Sequence, residues 1–167
     1  MEKIITSRNA KLLAPPPPEK RECSCPKNTP CPLDGKCLLE NVVYEATVTQ
    51  DDQTKNCYTG LCSTSFKKRL GIHKHSFVSD DNQTSLSKFI WNLKEKNIGY
   101  DITWRLLDQA ETFSPISGKC ALCIKEKFYI LFRPTSADLN SRNEMFSNCR
   151  HKISKLLIKR ERKKKPG

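Results

Sequence analysis

The sequence predicts a small α+β domain built on an antiparallel sheet, and three observations point to it. The stretch NVVYEATVTQ, residues 41–50, is β-branched and alternating. YDITWRL, residues 100–106, alternates strictly, with Tyr100, Ile102, Trp104 and Leu106 on one face. Between them lie two segments whose apolar residues recur at helical spacing. The resulting order is two strands, two helices, a strand and then helices, which implies helices packed on an antiparallel sheet. With 167 residues, the chain is long enough for one domain with a real core.

Taken in order, residues 1–22 include APPPPEKRE, a polyproline run that suits neither a helix nor a sheet interior and reads as a disordered or extended linker. Residues 23–37, CSCPKNTPCPLDGKC, hold four cysteines and three prolines and almost nothing apolar. The segment 23–40 therefore needs something other than a core to hold it. After the first strand, the polar DDQTKN turns the chain into CYTGL, the returning strand of a hairpin. Ser63 or Thr64 suits the N-cap of the helix that follows, where Phe66 and Leu70 form an apolar i, i+4 pair. Leu86, Phe89, Ile90 and Leu93 form the stripe of a second helix over 86–94. ALCIKEKFYILF reads as a helix after the third strand, and a last helix is expected from Asn143 onward. The main domain then spans 41–157, with a basic tail over 158–167. There is no internal repeat.

Composition narrows the function. No apolar run approaches the ~20 residues that cross a bilayer, and the N-terminus lacks the apolar core of a secretory signal, so neither a membrane nor a secreted protein is expected. The net charge is +12, and residues 150–165 hold nine lysines and arginines against one acid. Such a run favours a polyanion, most often nucleic acid; a solvated tail or a nuclear-import signal is the alternative. Nine cysteines without a secretory signal read as metal ligands rather than disulfides. Cys120 and Cys123 form a CxxC, and Cys149 with His151 a CxH; together they supply a tetrahedral zinc site. Cys23, Cys25, Cys31 and Cys37 supply a second, whose binding energy would fold a segment that lacks a core. Small buried thiols are the competing reading. Cys57 and Cys62 read as packing residues.

Two further features carry chemistry. Arg69 and His73 lie four apart on one helical face, where planar donors and a proton-transfer group can meet a phosphate; the same pair fits an ordinary surface helix. Glu126 falls in an apolar stripe between Leu122 and Ile130. An acid there needs a lysine partner or a metal, and one carboxylate completed by waters and phosphate is a common way to hold Mg²⁺.

These residues form a pattern along the chain. Tyr44 ends VVY, Tyr58 begins YTG, and Arg69, His73, the helical Glu126 and Asn140 of LNSRNE follow. The pattern resembles the GIY-YIG endonuclease family. CPLDGKC, FKKRLGIHKHSF, LSKFIWNLK, GKCALCIKEKFYI, LNSRNE and CRH are most similar to the C-terminal endonuclease domain of Penelope-like retroelements, over about Cys23 to Leu157. That resemblance implies a three-stranded sheet flanked by helices, and hydrolysis of DNA phosphodiesters with one Mg²⁺ or Mn²⁺. It implies that Tyr44 is the general base or proton relay, that Tyr58 orients water or phosphate, and that Arg69 stabilises the phosphorane. His73 would assist proton transfer or bind phosphate, Glu126 would hold the metal, and Asn140 would position Glu126 or the DNA backbone. It further implies nicking of target DNA in the nucleus, with a reverse transcriptase as a fused or upstream partner. The chain departs from the family where Val42 replaces a glycine and Thr59 stands between Tyr58 and Gly60. The second reading is a zinc-stabilised nucleic-acid-binding module, derived from a retroelement, without catalysis.

Overall fold

Strand β1, Val42–Gln50, is buried along most of its length because it is the central strand of the sheet. β2, Lys55–Cys62, returns antiparallel along one side, and β3, Tyr100–Gln109, pairs antiparallel on the other. The structure is a computed structural model that describes residues 22–26, 28–79, 84–114, 116–132, 138–141, 149 and 151. Three helices complete the described fold: α1 over Phe66–Ser76, α2 over Ser85–Glu95 and α3 over Ala121–Phe132. The α+β class with a three-stranded antiparallel sheet is therefore as expected. The last helix expected from Asn143 and the basic tail lie outside the described residues, as does the Pro-rich segment up to residue 21.

Alternation along β1 divides the core in two. Val42, Tyr44, Ala46 and Val48 point to one face, where they pack with Phe66 and Leu70 of α1 and with Leu86, Ile90 and Leu93 of α2. Val43 points to the other face and packs with Leu122 and Tyr129 of α3 and with Leu107 of β3. On that second face Glu45, 5% exposed, receives both Nε and Nη2 of Arg105 on its Oε1, at 3.1 and 2.8 Å.

Three local features differ from the sequence reading. The N-cap of α1 is Ser65, not Ser63 or Thr64, and its side chain makes no capping bond. A two-stranded ribbon, β4 (Phe113–Ser114) with β5 (Lys119–Cys120), precedes α3; strands of two residues are too short to show periodicity. The β1–β3 register shifts between Val43 and Tyr44, leaving an extra residue, Leu107, on β3. A bulge of this kind increases local twist, and here it sits beside the tyrosine of greatest interest.

Candidate active site and metal clusters

Register brings the site together. Tyr44 lies opposite Gly60, and Ala46 lies opposite both Tyr58 on β2 and Trp104 on β3. Tyr44, Tyr58, Gly60 and Trp104 consequently share the face covered by α1. A Cβ on Gly60 would fall 2.6 Å from the Tyr44 hydroxyl oxygen, so only glycine leaves room for that phenol.

Helix α1 supplies the rest. Arg69 and His73, one turn apart, both reach the hydroxyl of Tyr44. Arg69 Nε donates to it at 3.0 Å, and His73 Nε2 lies 2.7 Å from it. Tyr44 is 0% exposed and His73 1%. Burial pushes the Tyr44 phenol up to about 12, against the opposing pull of Arg69. Burial, with the charge of Arg69, pushes His73 down to about 3. At neutral pH the pair is therefore phenol and neutral imidazole. Arg69 can only donate, so the Tyr44 oxygen accepts from it and its own proton is directed at His73 Nε2. His73 then carries its ring proton on Nδ1. Arg69 remains charged: burial works against the charge, but Tyr44 outweighs it. Among the described residues Arg69 forms no ion pair, which leaves its charge available to an anion.

Aromatic rings wall the site. Tyr58 meets the His73 imidazole edge to face at 6.2 Å between centroids, Phe77 stacks on it at 6.0 Å, and Trp104 lies 5.4 Å away. Glu126 sits on α3 between the buried Leu122 and Ile130, as its position in the apolar stripe implies. It is half-buried, and its charge is among those that raise the Tyr44 phenol. The Asn140 amide spans the Thr59 peptide, with Oδ1 accepting from Thr59 N and Nδ2 donating to Thr59 O, both at 2.8 Å. It imitates a neighbouring strand at the edge next to Tyr58.

Two contributors escaped the sequence reading. Trp104 was legible as a core residue from the alternation of β3, but its place against His73 follows from register. Asp138 accepts from the Cys57 amide and from Asn56 Nδ2 beside it, so residues 138–140 grip β2 on both sides of Tyr58. No spacing or motif marks it.

The cysteines group as their spacing implies. In Cys23, Cys25, Cys31 and Cys37, and again in Cys120, Cys123, Cys149 and His151, all ligand atoms lie within 4.8 Å of one another. A tetrahedral zinc with Zn–S near ~2.3 Å places its sulfurs about 3.8 Å apart, and a sulfur and an imidazole nitrogen about 3.6 Å apart. Cys25–Cys37 and Cys37–Cys23 are each 3.6 Å. His151 Nδ1 lies 3.5, 3.3 and 3.6 Å from the sulfurs of Cys120, Cys123 and Cys149. A disulfide would need about 2.05 Å, and all nine cysteines are free. The thiols also oppose one another's ionisation. The hydrogen bond to Cys37 is the main cause of a Cys25 thiol raised to about 12, and burial followed by contact with Cys120 raises Cys123. Cys31 goes the other way, to about 7: burial resists, but the N–H groups of Leu33 and Gly35 outweigh it. Gly35, at φ +88°, makes the tight turn that aims them. Both clusters could hold a metal ion such as zinc.

No protein-family model, no curated protein and no solved structure matches this chain.

Proposed function

We propose that the chain is a metal-dependent DNA endonuclease of the GIY-YIG type, similar to the endonuclease domain of Penelope-like retroelements. It would nick target DNA in the nucleus, with a reverse transcriptase as a fused or upstream partner. The observation that carries this is the Tyr44 hydroxyl, clasped by Arg69 and His73 beneath Gly60. A phenol held between a cation and a neutral base is organised to move a proton beside an anion.

Glu126 fits Mg²⁺ or Mn²⁺, because one carboxylate leaves the other coordination positions to waters and phosphate oxygens. Bound there, the ion supplies Lewis acidity and offsets charge on the leaving oxygen. The chain's own residues do the remainder. Arg69 binds a phosphate oxygen and stabilises the negative charge that grows in the transition state. Tyr44 accepts the proton of the attacking water on its oxygen as it passes its own to His73 Nε2. A phosphate beside Arg69 masks the charge that helps depress His73, and so makes the imidazole a better proton acceptor. Tyr58 borders the pair and, held from the edge by Asn140 and Asp138, orients water or phosphate. Exposed Lys68 and Lys74 on α1 add backbone contacts without reading sequence.

The test is nicking of supercoiled plasmid by zinc-loaded protein with Mg²⁺ or Mn²⁺. Cleavage that Glu126→Ala abolishes supports the proposal; cleavage no greater than that of the variant sinks it. One observation favours the second reading, a nucleic-acid-binding module without catalysis. Tyr44 is fully buried and raised to about 12, an environment that works against proton abstraction. That reading expects salt-dependent DNA binding unaffected by Tyr44→Phe and no nicking with any metal.

A further inference from the structure

Helix α1 starts without a side-chain cap. Ser65 occupies the N-cap with extended backbone, φ −61° and ψ 142°, and its hydroxyl bonds no helix amide. A helix start leaves four N–H groups without intrahelical partners. Two of these are taken by a segment almost thirty residues upstream: Phe66 N donates to Leu39 O at 3.0 Å, and Lys67 N to Cys37 O at 2.7 Å. Lys67 Nζ adds bonds to the carbonyl and hydroxyl of Ser24, at 3.1 and 2.8 Å. The cap of α1 is thus the backbone of the Cys-rich segment.

That segment has little else to keep its shape. Among its described residues no helix or strand occurs before β1; its internal backbone bonds are short turns, such as Lys36 N to Leu33 O at 2.8 Å, and one bond that joins its ends, Leu38 N to Glu22 O at 2.8 Å. Leu33 and Cys37 are its buried anchors. The loop between these anchors is drawn together by the convergence of Cys23, Cys25, Cys31 and Cys37. One of these four ligands, Cys37, is itself a capping residue.

We propose that these four cysteines are positioning residues: through the ion they hold, they seat the first turn of α1 and thereby set Arg69 and His73 against Tyr44. Phe66, Lys67, Lys68 and Arg69 form that first turn, so loss of the ion frays the helix at Arg69 first and at His73 one turn later. The second cluster takes Cys120 from β5 and Cys123 from α3, with Cys149 and His151, and has no part in this cap. Only the consequence for cleavage rests on the proposed function; the placement of α1 is measurable without it.

The experiment compares the zinc-loaded full chain with Cys31→Ser and Cys120→Ser, by amide hydrogen exchange and by NMR titration of the His73 imidazole. Zinc per chain confirms that each variant has lost one ion. In Cys31→Ser the amides of Phe66 and Lys67 exchange roughly tenfold faster, the loss expected when a helix cap is removed. His73 begins to titrate near its ordinary value, while β1 amides stay protected. Cys120→Ser leaves the Phe66 and Lys67 amides and His73 as in the parent. Unchanged exchange and a silent His73 in Cys31→Ser would overturn the proposal. So would loss of β1 protection in that variant, because the ion would then hold the whole domain rather than one helix. Equal effects in both variants would overturn it as well. Failure of the nuclease reading alone leaves each of these measurements interpretable.

Discussion

Tyr44 and His73 share a 2.7 Å hydrogen bond between side chains that are almost wholly removed from solvent. Residues 29 positions apart in sequence therefore behave as one proton-holding unit. Burial pushes the tyrosine up and the histidine down, so the pair keeps a single protonation state from about pH 3 to about pH 12.

Tyr44→Phe removes the centre of that unit while keeping its ring in place. Plasmid nicking is expected to fall by about 10²–10⁴-fold, the usual contribution of a positioned proton-transfer group. The variant also leaves Arg69 Nε and His73 Nε2 without their shared partner, at a cost of about 1–3 kcal/mol in a denaturant titration. Undiminished nicking would remove Tyr44 from the mechanism.

His73 makes stability depend on acid. Its folded-state pKa is about 3, far below the ordinary value of 6.5, because of burial and the charge of Arg69; Tyr44 and Tyr58 are the other titratable groups facing it. Between pH 6.5 and 3 the unfolded chain binds a proton that the folded chain refuses. The stability present above pH 6.5 is thus lost as the pH falls, at about 1.4 kcal/mol per pH unit. In His73→Gln this part of the slope disappears. Chemical denaturation of both proteins at several pH values, with zinc in excess, reads it as a difference.

Gly60→Ala tests the close approach of β2 to Tyr44. The new methyl meets a phenol oxygen held on two sides, so the ring must shift. A loss of about 1–3 kcal/mol is expected, together with reduced nicking. A variant as stable as the parent would show that Tyr44 can move freely.

Asn140→Ala removes both bonds to the Thr59 peptide. The Thr59 amide should lose protection from exchange, with global stability falling by about 1–3 kcal/mol. Asn140→Asp keeps an acceptor for Thr59 N but offers Thr59 O no donor, and should fall between the two.

The legible and the hidden parts of this molecule differ for physical reasons. β3 announces itself because one of its faces is more buried than the other, which imposes alternation, whereas β1, central and covered on both faces, shows in its run of β-branched residues. α3 is visible for a similar reason: Leu122 and Ile130 must meet the sheet, and Glu126 between them stands out as an acid in the wrong company. The cysteine groups follow from spacing because a chelating CxxC allows few other arrangements. Ser65 as the N-cap of α1 was not legible, because the groups that satisfy the helix belong to Cys37 and Leu39, and a backbone carbonyl has no sequence signature. Trp104 was hidden as a site neighbour because strand register, which decides its company, is not written in either strand alone, and Asp138 because it is a turn residue that meets β2 only through the fold.

β2 is an edge strand, and edges of sheets invite foreign strands. Here the outward-facing groups of Cys57 and Thr59 are already answered by Asp138, Leu139 and Asn140. A second chain that tried to extend the sheet would first have to displace them. Residues 138–140 thus end the ladder and keep copies of this chain from joining edge to edge along β2.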